Sequence, residues 1–368
     1  MLRITSEKQM QKAMIAMSGG VDSSVAALLM KERGYDCVGV TMKLFSNDKI
    51  GSDDSTCCSL KDTDDARGVA WSLEIPHYVF NFQDDFDRHV IKRFVESYQR
   101  GKTPNPCIDC NKYLKFERLL SRALQMEYDF VVTGHYAKIE WNENESRFSL
   151  KKANDAAKDQ SYFLYSLTQE QLSHVMFPVG ELFKAEVREI AARHGLLNAK
   201  KRESQDICFV PNGKYTAFLE RFNGEALSRG DFTDSLGNVL GRHKGQACYT
   251  IGQRKGLGIS SAHPLYVVRK NSDENTVTLG IEQELYSKSL NANDFNWIRP
   301  EPEAHLPIRI KAKTRYRQIE QSATAERLED GVVRVTFDES QRAITPGQAV
   351  VLYKDDEVVG GGTIICSL

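Results

Sequence analysis

The chain has 368 residues, 41% of them hydrophobic and 27% charged, with a formal net charge of −1 and eight cysteines. That length expects two or three domains, and the near-neutral balance excludes a protein that coats nucleic acid by bulk attraction while leaving room for a local basic surface. No apolar run approaches the ~20 residues of a membrane span, the first twelve residues carry no apolar signal segment, and eight cysteines are too sparse for a disulfide scaffold, so a cytoplasmic protein is expected.

Ala13 to Met17 is a short apolar run. It is followed by Ser18-Gly19-Gly20-Val21-Asp22-Ser23-Ser24 and then by the apolar stretch Val25 to Met30. The pattern predicts strand, glycine turn and helix. The two glycines let a ligand approach bare backbone, and the amides opening the helix, with the Ser23 and Ser24 hydroxyls, form a cradle for an anion. Asp22 would repel a phosphate there unless a metal ion lay between them, so the loop predicts a nucleotide held through phosphate and magnesium. No lysine follows Gly20, which excludes the Gly-x4-Gly-Lys-Ser/Thr loop, and the Gly-x-Gly-x-x-Gly dinucleotide pattern is absent. An ordinary glycine turn is the bland alternative, but seven residues in this strand-to-helix setting argue against it.

Gly34 closes that helix, Val38 to Leu44 reads as a second strand, Asp62 to Leu73 as a helix and His77 to Phe80 as a third strand. Phe86 to Tyr98 is helical, with Phe86, Val90, Phe94 and Val95 on one stripe. Pro104 and Pro106 predict an extended loop ahead of a helix over Cys110 to Met126, opened by Asn111 and Lys112. Phe130 to Thr133 is a buried strand ending at Gly134-His135-Tyr136, and Lys184 to His194 is a helix. This is a doubly wound α/β pattern with a parallel sheet. Ser18, Met42 and Gly134 fall at carboxyl ends of strands, where such folds bind ligands. From about Gly224 glycines are frequent and strands short; Pro300 to Pro307 reads as a linker. Ile308 to Leu368 alternates as strands, with turns at Glu329-Asp330-Gly331 and Lys354-Asp355-Asp356. The expected domains are 1–210 (α/β), 211–290 (β-rich) and 291–368 (β-barrel).

Cys37, Cys248 and Cys366 sit in apolar strands and suit a core. Cys107-Ile108-Asp109-Cys110 does not, because it follows a proline-rich loop; Cys110 is placed near a helix N-terminus, where the dipole favours a thiolate. Cys208 is a third candidate. A structural zinc site would need a second such pair, so sulfur chemistry or a three-cysteine iron–sulfur cluster is the competing reading. Cys57-Cys58 is unassigned. Arg309, Lys311, Lys313, Arg315 and Arg317 occupy alternate positions, which on one strand would make a basic stripe ~26 Å long, enough for several phosphates; a solvated strand face is the alternative. Lys200-Lys201-Arg202 and Arg242-His243-Lys244 would extend it.

The loop Ser18 to Ser24 resembles the pyrophosphate loop of the N-type ATP pyrophosphatases. With Thr103-Pro104-Asn105-Pro106, Cys110-Asn111-Lys112, Thr133-Gly134-His135-Tyr136-Ala137, Lys158-Asp159-Gln160-Ser161-Tyr162-Phe163-Leu164 and Ser204-Gln205-Asp206-Ile207-Cys208-Phe209, the chain resembles the tRNA-specific 2-thiouridylases. Gly252-Gln253-Arg254-Lys255-Gly256-Leu257-Gly258 and Pro346-Gly347-Gln348-Ala349-Val350 carry the resemblance over nearly the whole length. It implies an enzyme that adenylates the 2-oxygen of the wobble uridine (position 34) of tRNA with ATP and Mg2+ and then replaces that oxygen with sulfur. Ala16, Met17, Ser18, Gly19, Gly20, Val21, Asp22, Ser23, Met42 and Gly134 would bind ATP. Cys208 would carry a persulfide from a sulfur-donor protein, and Cys110 would resolve the bridge, leaving a Cys110–Cys208 disulfide. Asn105, Pro106, Cys107, His135, Lys158, Asp159, Gln160, Arg315, Tyr316 and Gln348 would lie at or near tRNA, His135 equally well as a structural cap. Cys107 stands where the family often has aspartate. That departure keeps open a [4Fe–4S] cluster held by Cys107, Cys110 and Cys208. The alternative function is an ATP pyrophosphatase that ligates or amidates a small metabolite.

Overall fold

The structure is a computed structural model that describes residues 10–45, 60–201, 207–210, 213–302 and 306–368. Cys57, Cys58, Arg202 and Ser204-Gln205-Asp206 lie outside the described residues. The chain forms two compact units. The first is Met1–Phe86, Asn111–Ser161 and Gln169–Phe209; the second is Asp87–Cys110, Tyr162–Thr168 and Val210–Leu368.

In the first unit the strands are β1 (Lys12–Ala16), β2 (Asp36–Lys43), β3 (His77–Asn81), β4 (Phe130–Val132), β5 (Ala137–Asn142), β6 (Arg147–Lys152) and β7 (Val175–Met176). Five of them make a parallel sheet in the order β3-β2-β1-β4-β7, while β5 and β6 form an antiparallel hairpin. The central strand β1 is apolar throughout its middle because both its faces are covered: Ala13, Met14 and Ile15 have no exposed surface. The helix Val21–Glu32 packs Val25, Ala26, Ala27 and Met30, all fully buried, into the same core. The expected stripe Phe86, Val90, Phe94 and Val95 is buried, on helical turns that run from Gln83–Phe86 through Asp87–Ile91 to Lys92–Gln99.

One boundary differs from the sequence reading. The helix expected to open at Asn111 opens at Pro106, as Pro106–Asp109, and continues through Cys110–Leu119. Asn105 is its N-cap, its side chain accepting from the Cys107 amide at 3.2 Å. Proline costs nothing at the first helical position, where its missing N–H would have had no partner. Pro106 therefore starts the helix, and Cys107 rather than Cys110 sits in its amide-rich first turn.

In the second unit, β8 (Gly230–Thr233), β9 (Val239–His243), β10 (Tyr266–Asn271) and β11 (Thr276–Gly280) form a sheet in the order β10-β11-β8-β9. A six-stranded barrel follows from β12 (Tyr286–Trp297), β13 (Ile308–Lys313), β14 (Gln321–Arg327), β15 (Val333–Arg342), β16 (Ala349–Lys354) and β17 (Glu357–Ser367), closed by pairing of β12 with β17. Closure leaves no open edge, and the inward alternation of Ile310, Ala312, Ala323, Ala325, Val333 and Val335 fills the interior. Both expected turns are present, with positive φ at Gly331 and Asp355.

The five-cation stripe does not survive. β13 ends at Lys313, so Arg315 and Arg317 lie in the turn beyond it. Arg309 forms a two-pronged ion pair with Asp338, Lys313 lies 3.6 Å from Glu320, and Arg315 donates to the Ala343 carbonyl and the Thr345 hydroxyl. Only Lys311 and Arg317 of the five are exposed cations with no acidic partner among the described residues. The alternation was real in sequence, but neighbouring strands supplied acids that a single strand's pattern does not reveal. Of the two flanking basic clusters, His243 is buried against the Asn275 carbonyl, Arg242 pairs with Asp231, and Lys201 is engaged inward.

Candidate active site

The glycine loop leaves the carboxyl end of β1. Met17 is buried and donates its amide to the Val40 carbonyl at 2.8 Å, which pins the loop's entry. Gly19 has φ +70, and a Cβ there would stand 2.3 Å from the Asp62 carbonyl oxygen, so no other residue fits. Gly20 is the helix N-cap in extended conformation and lacks a side-chain cap. The Ser23 and Ser24 hydroxyls donate to its carbonyl at 3.0 and 3.1 Å. Ser23 Oγ also accepts from the Ser18 amide at 3.3 Å. Gly134, after β4, closes the loop from the other side: a Cβ on it would lie 2.6 Å from backbone atoms of Asp22 and Ser23. Gly134→Ala is thus expected to lower stability by about 1–3 kcal/mol, read as a fall in Tm.

Asp22 is not an unanswered charge. Its Oδ1 accepts from Lys184 Nζ at 2.6 Å and from the Tyr136 hydroxyl at 2.8 Å. The Lys184 side chain is 11% exposed and that of Asp22 28%. Asp22 thus has a cationic partner in the first residue of the helix Lys184–Arg193, a counterion that the sequence argument for a metal ion did not include. Tyr136 is itself fixed by Gln160, whose amide donates to the Tyr136 carbonyl at 2.8 Å and whose side-chain oxygen accepts from the Tyr136 amide at 3.0 Å. A second lysine, Lys201, bonds the Gly19 carbonyl, Asp62 and Asp65. Lys184, Tyr136, Asn198 and Lys201 were missed from sequence because they lie 114 to 182 positions from their loop partners. Only the motif around Tyr136 offered a signal.

The remaining candidates fall into groups by unit. In the first unit Met42 lies near the end of β2, paired with Phe80. His135 is buried between the Phe116 and Phe177 rings, with Nδ1 2.6 Å from the Thr133 hydroxyl and Nε2 3.4 Å from Lys115 Nζ. Burial first, and the Lys115 charge second, push its pKa well below the ordinary histidine value, so it is neutral. That environment suits a strand-end cap. Asp159 is buried and accepts from the Ala153 amide, the Ser161 amide and the Ser161 hydroxyl. With Gln160 it shapes the turn that supports Tyr136, and Lys158 and Gln160 are both half-buried. Cys208 is half-buried, beside Phe209, which packs edge-on against Phe86 at 5.6 Å.

In the second unit Cys107 is exposed, Cys110 half-buried and Pro106 buried. The preceding loop is tied to the barrel's 346–348 turn: the Thr103 amide donates to the Pro346 carbonyl at 2.9 Å and Gln348 Nε2 to the Thr103 carbonyl at 2.7 Å. Gly347, at φ +90, leaves room for Lys102 and Thr103. Tyr316 packs on Phe163 at 4.3 Å, and Tyr162 and Tyr165 are buried. Among the described residues no group of three His, Cys, Asp or Glu side chains could hold a metal ion.

Family models match three successive stretches: a tRNA methyl transferase HUP domain over residues 11–212, a tRNA methyl transferase PRC-barrel domain over 216–281 and an aminomethyltransferase beta-barrel domain over 287–364. The tRNA-specific 2-thiouridylase MnmA of Acetivibrio thermocellus is 49% identical over 96% of this chain and 99% of its own length. That of Clostridioides difficile is 48% identical over 97% and 99%, and that of Moorella thermoacetica 50% identical over 95% and 98%. Among solved structures, NMN synthetase from Francisella tularensis aligns with a TM-score of 0.35 at 17% identity, covering 60% of this chain and 80% of that one, a likeness too slight to bear on function.

Proposed function

The chain belongs to the tRNA-specific 2-thiouridylase family, and on that premise we propose that it uses ATP to adenylate the 2-oxygen of the wobble uridine of tRNA and then replaces that oxygen with sulfur. The observation that carries the reading is the glycine loop at the end of β1 with Lys184 brought to its Asp22. The family models are described as methyl transferases, but a loop of backbone amides with a buried lysine suits a polyphosphate. It offers nothing specific to a methyl donor.

Ala16 to Ser23, with Met42 and Gly134, bind the nucleotide. The uracil O2 attacks the α-phosphorus, the bond to the bridging oxygen breaks, and its electron pair leaves with pyrophosphate. Lys184 and the first-turn amides hold the departing charge. Asp22 is the carboxylate that would hold Mg2+, which would supply charge neutralisation to the phosphates. A protein donor loads Cys208 with a persulfide. Its outer sulfur attacks C2 of the adenylated uracil and expels AMP. Cys110 thiolate then attacks the Cys208 sulfur, the S–S bond breaks, and 2-thiouridine leaves while a Cys110–Cys208 disulfide forms. A dithiol reductant restores both thiols. The tRNA contacts we assign are Asn105, Pro106, Cys107, His135, Lys158, Asp159, Gln160, Arg315, Tyr316 and Gln348. Several of these, notably Asp159, Gln160 and Gln348, act by holding the loops that face the substrate. The domains 1–210, 211–290 and 291–368 divide the work into catalysis, a β-rich spacer and tRNA contact, in the cytoplasm. Among the described residues no helix is long and apolar enough to cross a membrane.

The test is labelled ATP with tRNA, a sulfur donor and a reductant, scored for AMP, pyrophosphate and thiouridine in digested tRNA. All three products are expected in step. AMP formation indifferent to tRNA would instead indicate the small-metabolite ligase. In the same experiment, protein purified without oxygen and free of iron should still thiolate; activity that tracks bound iron would restore the cluster formed by Cys107, Cys110 and Cys208.

A further inference from the structure

The strand order β3-β2-β1-β4-β7 puts the topological switch point between β1 and β4: the chain winds outward from β1 through β2 to β3 and returns on the other side of β1 as β4. In such folds ligands lie in the crevice beyond the carboxyl ends of the strands at that point. One lip of this crevice is the glycine loop after β1. The other is Thr133-Gly134-His135 after β4, which comes so close that a Cβ on Gly134 would meet the Asp22 and Ser23 backbone. Lys115, from the helix Cys110–Leu119, is held on this second lip, with Nζ 3.4 Å from His135 Nε2. An ammonium has three donors and no acceptor. His135 Nε2 therefore accepts, and the ring hydrogen sits on Nδ1, which donates to the Thr133 hydroxyl at 2.6 Å. His135 is 8% exposed and neutral. Lys115 is half-buried, and among the described residues no carboxylate pairs with it. Lys184 and Lys201 differ, the first answered by Asp22 and the second by Asp62 and Asp65. A neutral histidine fixes the Lys115 ammonium in place without cancelling its charge. Partial burial without a counterion disfavours an ammonium, and two of its donors are left for a ligand.

We propose that Lys115 is a phosphate-binding residue on the β4 lip of the crevice, opposite the glycine loop, with His135 as the positioning residue behind it. The inference rests on the thiouridylase reading, which brings two such phosphates to the crevice. One is the α-phosphate of ATP, which stays on the uracil as the AMP ester. The other is a backbone phosphate beside the wobble uridine. Each carries a single negative charge and presents two non-bridging oxygens to the two remaining Lys115 donors. The amides of the glycine loop take the outer phosphates that leave as pyrophosphate, so the two lips do not compete for the same group. His135 suits its place because it is neutral: a carboxylate there would hold the lysine equally well but would cancel the charge that draws the phosphate.

The test is a titration with a non-hydrolysable ATP analogue and, separately, with unmodified tRNA over a series of salt concentrations. Lys115→Met keeps the apolar stem and removes the charge. It strands no carboxylate, so its Tm should not fall, and Lys115→Gln serves if it folds poorly. If the ligand is the α-phosphate, the Kd for the analogue should rise about 10- to 100-fold while tRNA binds as before. If it is a tRNA phosphate, tRNA affinity should fall by a similar factor. The slope of log affinity against log salt should then drop by about one, with the analogue unaffected. Lys115→Arg keeps a cation and should retain most of the affinity. A lysine that only packs against its neighbours would give the reverse order, with Met tolerated and Arg not. Wild-type affinity for both ligands in Lys115→Met would overturn the proposal, as would Lys115→Arg binding as weakly as Lys115→Met. A wild-type protein that binds the ATP analogue but not tRNA would instead sink the thiouridylase reading and leave the analogue titration to decide the role of Lys115.

Discussion

Cys208→Ser is expected to stop thiouridine formation, by on the order of 10³-fold or more, while AMP and pyrophosphate continue to appear. The adenylating groups we assign lie in the glycine loop and at Lys184, whereas Cys208 is assigned the sulfur. A serine hydroxyl in its place cannot carry a persulfide, so the activated uridine meets only water. Cys110→Ser should fail differently. Attack on C2 still occurs, but nothing cleaves the Cys208–S–S–C2 bridge, and tRNA should remain covalently attached. A denaturing gel run without reductant reads this directly, as a shifted band that collapses on adding thiol. Thiouridine at the normal rate from Cys208→Ser would remove that residue from the mechanism. The same gel, with no shifted band for Cys110→Ser, would remove the resolving role.

Lys184→Met should lower adenylation by about 10²–10³-fold, the usual scale for deleting a charged group aimed at developing negative charge. It should also destabilise the protein, since breaking a largely buried ion pair from one side costs about 3–5 kcal/mol. Asp22→Ala is expected to abolish adenylation as well, and the two single variants do not distinguish a catalytic pair from a structural one. The double variant Asp22→Asn, Lys184→Met does. It leaves no uncompensated charge, so Tm should return toward wild type while adenylation stays lost. Activity that recovers along with Tm would show that the pair holds the loop and touches no phosphate.

The parallel sheet, its order of helices and strands and the loop were legible because each depends on residues adjacent in sequence. An apolar run buried on both faces announces β1, and two glycines followed by hydroxyls announce the turn after it. The barrel was legible from alternation and from its Asp- and Gly-containing turns. Two errors share one cause. Pro106 was read as a breaker, although at the first helical position it is a starter. The basic alternation from Arg309 to Arg317 was read as a single strand, although Lys313 ends it and Asp338 and Glu320 answer two of its charges. Both depended on what lay opposite or ahead, which a local pattern does not contain.

The sequence by itself determined the chemistry on offer: a phosphate-type loop without a lysine, thiols at Cys107, Cys110 and Cys208, and motifs that place the chain in its family. Tertiary structure decided how the loop is charged. Lys184 reaches Asp22 across 162 positions, Tyr136 is held to it by Gln160, and Lys201 reaches the Gly19 carbonyl across 182. The physical reason is that a buried charge must find its counterion wherever folding brings one. That partner is set by how helices pack on the sheet, so no spacing along the chain encodes it.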